Sequence, residues 1–127
     1  MFQSHISVVD DDRSFRDSMR RLLKSLDYTV TTFPSAAQFL SSPEFHSTSC
    51  LVADIQMPEM TGVALYERLR ETGYSIPTIL VTAYPVDVVR ERMMTLGVIC
   101  YLPKPFLESE LIHCLELAFA GRKVGHA

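Results

Sequence analysis

Ile6-Ser7-Val8-Val9-Asp10-Asp11-Asp12 is a short apolar run that stops abruptly in three carboxylates. Reading outward, the same pattern returns. Thr29 to Phe33 is β-branched, Cys50-Leu51-Val52-Ala53 ends at Asp54, Thr78-Ile79-Leu80-Val81 ends at Thr82, and Val98 to Leu102 leads to Lys104. Each run has strand length, and a segment of helical period follows it. Phe15, Met19, Leu22, Leu23 and Leu26 share one helical face, with Asp12 as the expected N-cap. Ala36, Ala37, Phe39 and Leu40 follow Pro34-Ser35; Leu65, Tyr66 and Leu69 stop by Gly73; Val86, Val89, Met93 and Leu96 stop at Gly97. Leu107, Leu111, Cys114, Leu115 and Phe119 mark a last helix, with Gly121 beyond its end. The stretch from Ser41 to Ser49 reads as a polar loop.

Strands alternating with helices predict a single α/β domain built on a doubly wound, five-stranded parallel sheet, (βα)5, with helices on both faces. The middle runs are continuously apolar rather than alternating, as a sheet covered on both sides requires. The 127 residues, 47% of them hydrophobic, suffice for one core without staples. The expected domain is 1–121, with 122–127 as a C-terminal tail or linker stub. The three cysteines, Cys50, Cys100 and Cys114, read as small buried hydrophobes in a reducing compartment rather than a bridge framework. A net charge of −3 argues against a nucleic-acid-binding surface. No apolar run approaches the roughly 20 residues of a membrane helix. The start, Met1-Phe2-Gln3-Ser4-His5, lacks signal-peptide character. A soluble, cytoplasmic protein is expected.

The chemistry collects where the runs end. In a parallel sheet Asp10, Asp11, Asp54, Thr82 and Lys104 all fall at the carboxyl edge, where open α/β sheets bind ligands. Crowded carboxylates repel one another and raise their own pKa values unless a hard cation sits among them. Mg²⁺ suits such an all-oxygen set and would neutralise a transferring phosphoryl group. Lys104 offers a compact positive charge, Thr82 a short donor, and one Asp remains as nucleophile. The residue types suggest an aspartyl-phosphate site.

At these residues the chain resembles the receiver domains of two-component response regulators. The resemblance rests on Val8-Val9-Asp10-Asp11-Asp12, Asp54-Ile55-Gln56-Met57-Pro58-Glu59-Met60-Thr61-Gly62, Val81-Thr82-Ala83 and Lys104-Pro105-Phe106, in order and at family spacing. It implies a flavodoxin-like strand order, 2-1-3-4-5, which puts the Pro103-bearing strand at an edge, where proline is tolerated. It also implies that Asp54 accepts a phosphoryl group from the phosphohistidine of a sensor histidine kinase. Asp11, Asp54 and the backbone carbonyl of Gln56 would ligate Mg²⁺, with Asp10 acting mainly through bound water. Thr82, the N–H of Ala83 and Lys104 would contact the phosphoryl group. Thr82 and Tyr101 would switch, remodelling the face made by the fourth helix, fifth strand and fifth helix. Such a chain is a signalling phosphoacceptor rather than an enzyme on other substrates. The resemblance further implies a cis Lys104–Pro105 bond and admits a homodimer through the fourth-helix/fifth-helix face. Gln56 and Tyr84, both bulky, are expected to shield the acyl phosphate from water.

Two rival readings remain at this point. A haloacid dehalogenase-type phosphatase also begins with an apolar strand and Asp-x-Asp, but it needs an acidic pair after its Lys and leaves Asp54 without a role. A degenerate receiver serving only as an interaction module would lack one of the acids, the acceptor or the Lys. Arg13, Arg16, Arg20 and Lys24 form a stripe on the first helix that is either a solvated face or a kinase-docking surface. His5, His46 and His113 show no ligand pattern. Met57, Met60, Met93 and Met94 read as core or rim filler.

Overall fold

The computed structural model describes residues 4–124, with side chains to 120. The elements in order are β1 (His5–Val9), α1 (Arg13–Ser25), β2 (Thr29–Phe33), α2 (Ala36–Leu40), a 3₁₀ turn (Pro43–Ser47), β3 (Cys50–Asp54), α3 (Gly62–Glu71), β4 (Thr78–Thr82), α4 (Asp87–Leu96), β5 (Cys100–Pro103) and α5 (Glu108–Val124). The strands form one parallel sheet in the order β2-β1-β3-β4-β5, as expected.

The two-residue period of the strands divides the core in two. Val9, Leu51, Ala53 and Leu80 project to one face, where Phe39 of α2, Leu65 of α3 and Met93 of α4 cover them. Their strand neighbours Ile6, Val8, Val52, Ile79 and Val81 project to the other, under Met19 and Leu23 of α1 and Leu111 and Leu115 of α5. Strands β1, β3 and β4 are therefore buried throughout; β3 and β4 are continuously apolar between their ends, while His5 and Ser7 of β1 are buried polar residues bonded to Ser47, Thr31 and Thr48. Burying each Leu, Ile or Phe side chain is worth about 1.5–3 kcal/mol.

Local signals start and stop the helices. Asp12 caps α1 by accepting the Ser14 N–H at 3.0 Å, and Ser35 and Thr61 do the same for α2 and α3. Gly97 ends α4 in the left-handed region at φ 114°, where a Cβ would be strained. The Leu107 N–H donates to the Glu110 carboxylate at 2.8 Å, which closes the first turn of α5.

Four readings need correction. The polar loop before β3 contains the 3₁₀ turn, and its Phe45 is buried against Phe39 and Tyr74. Strand β5 begins at Cys100; Val98 and Ile99 lead into it, with the Ile99 N–H donating to the Thr78 carbonyl. Helix α5 runs through Gly121 to Val124, since a glycine in a helix interior costs only about 1 kcal/mol and stops the helix only when the chain turns left-handed there. Residues 125–127 of the expected tail lie outside the described residues. Finally, Cys100 and Cys114 form a disulfide, leaving Cys50 free and buried. The fold brings their Cα atoms to 5.9 Å, inside the bridging range, so an odd count hid one pair. The thiol of Cys50 is pushed up to about 12 by burial and is inert. His5 is a core histidine, its ring bonded to Ser47 and Thr31, and burial holds its pKa below the ordinary value.

Candidate functional site

Four of the five strands, β1, β3, β4 and β5, lead into groups at the same rim. The Asp10 N–H continues the β1–β2 ladder by donating to the Phe33 carbonyl at 3.0 Å, which holds Asp10 at the end of β1. Asp54 closes β3 and Thr82 closes β4. The Lys104 N–H donates to the Thr82 carbonyl at 2.7 Å, anchoring the segment after β5. The Lys104–Pro105 bond is cis, as expected. Asp10 and Thr82 are completely buried and Asp54 nearly so, while Asp11 faces solvent.

Residues 94 apart in sequence thus touch. The Lys104 ammonium lies 2.8 Å from Asp10 Oδ2 and 3.7 Å from Asp54 Oδ2. Asp10 Oδ1 accepts the Asp12 N–H at 2.8 Å, so both oxygens of this buried acid are engaged. Oxygens of Asp10, Asp11 and Asp54 fall within 4.8 Å of one another. Three carboxylates, two buried and one open to solvent, form a hard oxygen donor set that fits a divalent cation such as Mg²⁺. Asp54 feels the crowding. Burial above all, then the Asp10 charge, pushes its pKa up to about 6; the Lys104 ammonium and the Gln56 N–H, 3.2 Å from Asp54 Oδ1, restrain the rise.

Of the remaining expected residues, Thr82 donates its hydroxyl proton to Gln56 Oε1 at 2.6 Å and accepts the Tyr84 N–H at 3.0 Å. Ala83 is exposed beside it. Tyr101 is buried, and its hydroxyl accepts the Val86 N–H at 3.1 Å. The Tyr84 side chain is 72% exposed, so in this conformation its backbone, rather than its ring, serves the site.

The contacts of three α1 residues escaped the sequence reading. Arg16, part of the basic stripe, donates to the Asp10 carbonyl at 2.7 Å, and Arg20 donates to Thr32 Oγ1 at 2.6 Å, so the stripe is not merely a wet face. Phe15 lies under Lys104, the ammonium 4.0 Å from its ring centroid, a cation–π contact that orients the lysine. Their spacing one turn after the acids was the available signal, but it matches any amphipathic helix.

Gly62 is a sterically required residue of the site. A Cβ there would stand 2.5 Å from the Asp54 carbonyl oxygen, a backbone atom that cannot move aside. Gly62→Ala is expected to destabilise the fold by about 2 kcal/mol, in the range of overpacked core positions, and to displace Asp54; a urea midpoint equal to that of the parent protein would show the approach is not tight.

The comparisons agree with this fold. Residues 6–116 match the family described as the response regulator receiver domain. The transcriptional regulatory protein FixJ of Bradyrhizobium diazoefficiens is 34% identical over 116 residues, covering 91% of this chain and 57% of that protein. The transcriptional regulatory protein TdiR of Thauera aromatica is 33% identical, with 92% and 52% covered. Among solved structures, StyR, a response regulator, superposes with a TM-score of 0.85 at 37% identity over 98% of this chain and 64% of that one. FixJ-N gives 0.81 at 28% identity, with 93% and 94% covered.

A five-stranded parallel sheet in this order, with acids and a lysine at its carboxyl rim, defines a doubly wound α/β module of the receiver type. The chain belongs to the response-regulator receiver family of two-component signalling. It spans about half the length of the curated relatives it matches.

Proposed function

We propose that Asp54 takes a phosphoryl group from the phosphohistidine of a sensor histidine kinase, in a Mg²⁺-dependent reaction. The observation that carries this reading is the meeting of Asp54 with Lys104 at 3.7 Å inside the acidic trio. An Asp54 oxygen attacks phosphorus, the P–N bond breaks, and its electron pair returns to the imidazole nitrogen, which takes up a proton. Asp11, Asp54 and the Gln56 carbonyl would hold the cation, with Asp10 behind them, and the bound metal supplies charge neutralisation for the transferring group. Lys104 pairs with a phosphoryl oxygen, Thr82 and the Ala83 N–H donate to the others, and Thr82 with Tyr101 carries the change to the α4–β5–α5 face. That face exposes Met94, Leu107 and Leu117, which suits a second copy of the chain.

Asp10, the nucleophile of the phosphatase alternative, has both oxygens engaged by Lys104 and the Asp12 N–H, which favours Asp54 as acceptor. All the groups a degenerate receiver would lack are present. The reading places the chain in the cytoplasm; among the described residues no helix is long and apolar enough to cross a membrane. The expectation that the chain does not bind nucleic acid draws no support from the comparisons, since FixJ and TdiR are named transcriptional regulatory proteins.

The test is incubation with acetyl phosphate and Mg²⁺, followed by intact-mass analysis. One phosphoryl increment is expected, absent with EDTA and absent in Asp54→Asn. An increment that survives in Asp54→Asn, or none in the parent protein, overturns the proposal.

A further inference from the structure

We propose that the Gln56 side chain is a latch on Thr82 that holds the switch in its resting position. The proposal rests on the reading of Asp54 as phosphoacceptor and goes beyond it, because it gives a side chain outside the reacting groups a defined energetic role.

The Thr82 hydroxyl carries a single proton. That proton is donated to Gln56 Oε1 at 2.6 Å, while the oxygen accepts the Tyr84 N–H at 3.0 Å. That proton needs an acceptor, and the amide oxygen is the end of Gln56 that supplies one. Thr82 is fully buried and its one donor is committed, so it cannot donate to a phosphoryl oxygen without first leaving Gln56. The Gln56 N–H meanwhile donates to Asp54 Oδ1 at 3.2 Å. One residue thus grips the acceptor through its backbone and the switch hydroxyl through its side chain, two residues after Asp54 and 26 before Thr82. Gln56 is a positioning residue: it acts on the phosphoryl group through Thr82, and each phosphorylation exchanges one hydrogen bond for another.

A neutral hydrogen bond at the edge of solvent has a small net worth, so removing the latch should shift the equilibrium by about three- to tenfold. Gln56 is exposed, so Gln56→Met keeps chain length, removes the acceptor and does not threaten folding. Thr82→Val removes the hydroxyl at nearly constant volume.

The experiment measures the affinity of beryllofluoride, a non-covalent phosphoryl mimic, in saturating Mg²⁺ by calorimetry for the parent protein, Gln56→Met, Thr82→Val and the double variant. Gln56→Met should bind the mimic about three- to tenfold more tightly than the parent. In the Thr82→Val background the same change should do nothing, since no hydroxyl remains to be held. A merely structural role for Gln56 would give equal effects in both backgrounds, and that result, or no tightening at all, overturns the latch while leaving Asp54 as acceptor. Failure of the parent protein to bind the mimic with Mg²⁺ overturns the acceptor reading, and the latch falls with it.

Discussion

Asp54→Asn is expected to abolish phosphoryl uptake and, in the metal-free protein, to raise stability by about 2–3 kcal/mol at pH 8. The carboxyl of Asp54 sits at about 6 in the fold against an ordinary value of 3.8. Its folded pKa is raised, so the protonated form is the one the fold favours. Below the ordinary value the group is neutral folded or unfolded and costs nothing. As pH climbs toward 6 the unfolded chain ionises first, and the penalty grows at up to ~1.4 kcal/mol per pH unit. Above 6 it is complete. The amide carries no charge, so its advantage should shrink to about 1 kcal/mol at pH 4.5. Urea unfolding at the two pH values measures this directly. Saturating Mg²⁺ should reverse the order, because the cation stabilises the parent protein through a carboxylate the variant lacks. An Asn variant no more stable than the parent at pH 8 would show that burial and the Asp10 charge do not strain Asp54.

Lys104→Met is expected to act in the opposite direction on stability while striking the same function. The Asp10 side chain is 1% exposed, and its charge is balanced by the Lys104 ammonium at 2.8 Å. Removing one partner of a buried pair leaves the other charge stranded, which costs about 3–5 kcal/mol. Methionine keeps the apolar packing over Phe15 but not the cation–π contact, so about 0.5–1 kcal/mol more is lost. Divalent cation should recover a substantial part, as a second positive charge enters the acids, and Asp10→Asn in the same chain should recover more. Thermal melts with and without Mg²⁺ across the single and double variants test this. A Lys104→Met protein that melts with the parent would mean that Asp10 is not held by the lysine. In the presence of a phosphoryl donor the variant should also accept phosphate far more slowly, having lost the charge beside the transferring group.

Much of this was legible in the chain. Runs such as Val8-Val9 and Leu51-Val52-Ala53, each ending in acids, mark both a two-sided sheet and the rim of its site, because a strand buried on two faces needs continuous apolar residues and its last residue must face water or a ligand. Asp12, Ser35 and Gly97 announced helix ends because caps depend on local backbone geometry alone. Phe45 was missed because one aromatic among serines carries no period, and the two residues before Cys100 were read as strand because apolar character marks burial, not ladder bonding. The Cys100–Cys114 bridge was hidden for another reason: a strand residue and a helix residue meet only when the helix packs down.

The chain by itself determined the order of strands and helices, the faces they bury and the identities of Asp10, Asp11, Asp54, Thr82 and Lys104, since these follow from periodicity and from what ends each run. Tertiary structure alone decided that Lys104 neutralises Asp10 more closely than Asp54, that Phe15 and Arg16 brace the site, that Gln56 grips Thr82, and that burial pushes the Asp54 carboxyl up to about 6. Distances between groups far apart in sequence, and the solvent each loses, exist only once the crossovers have closed.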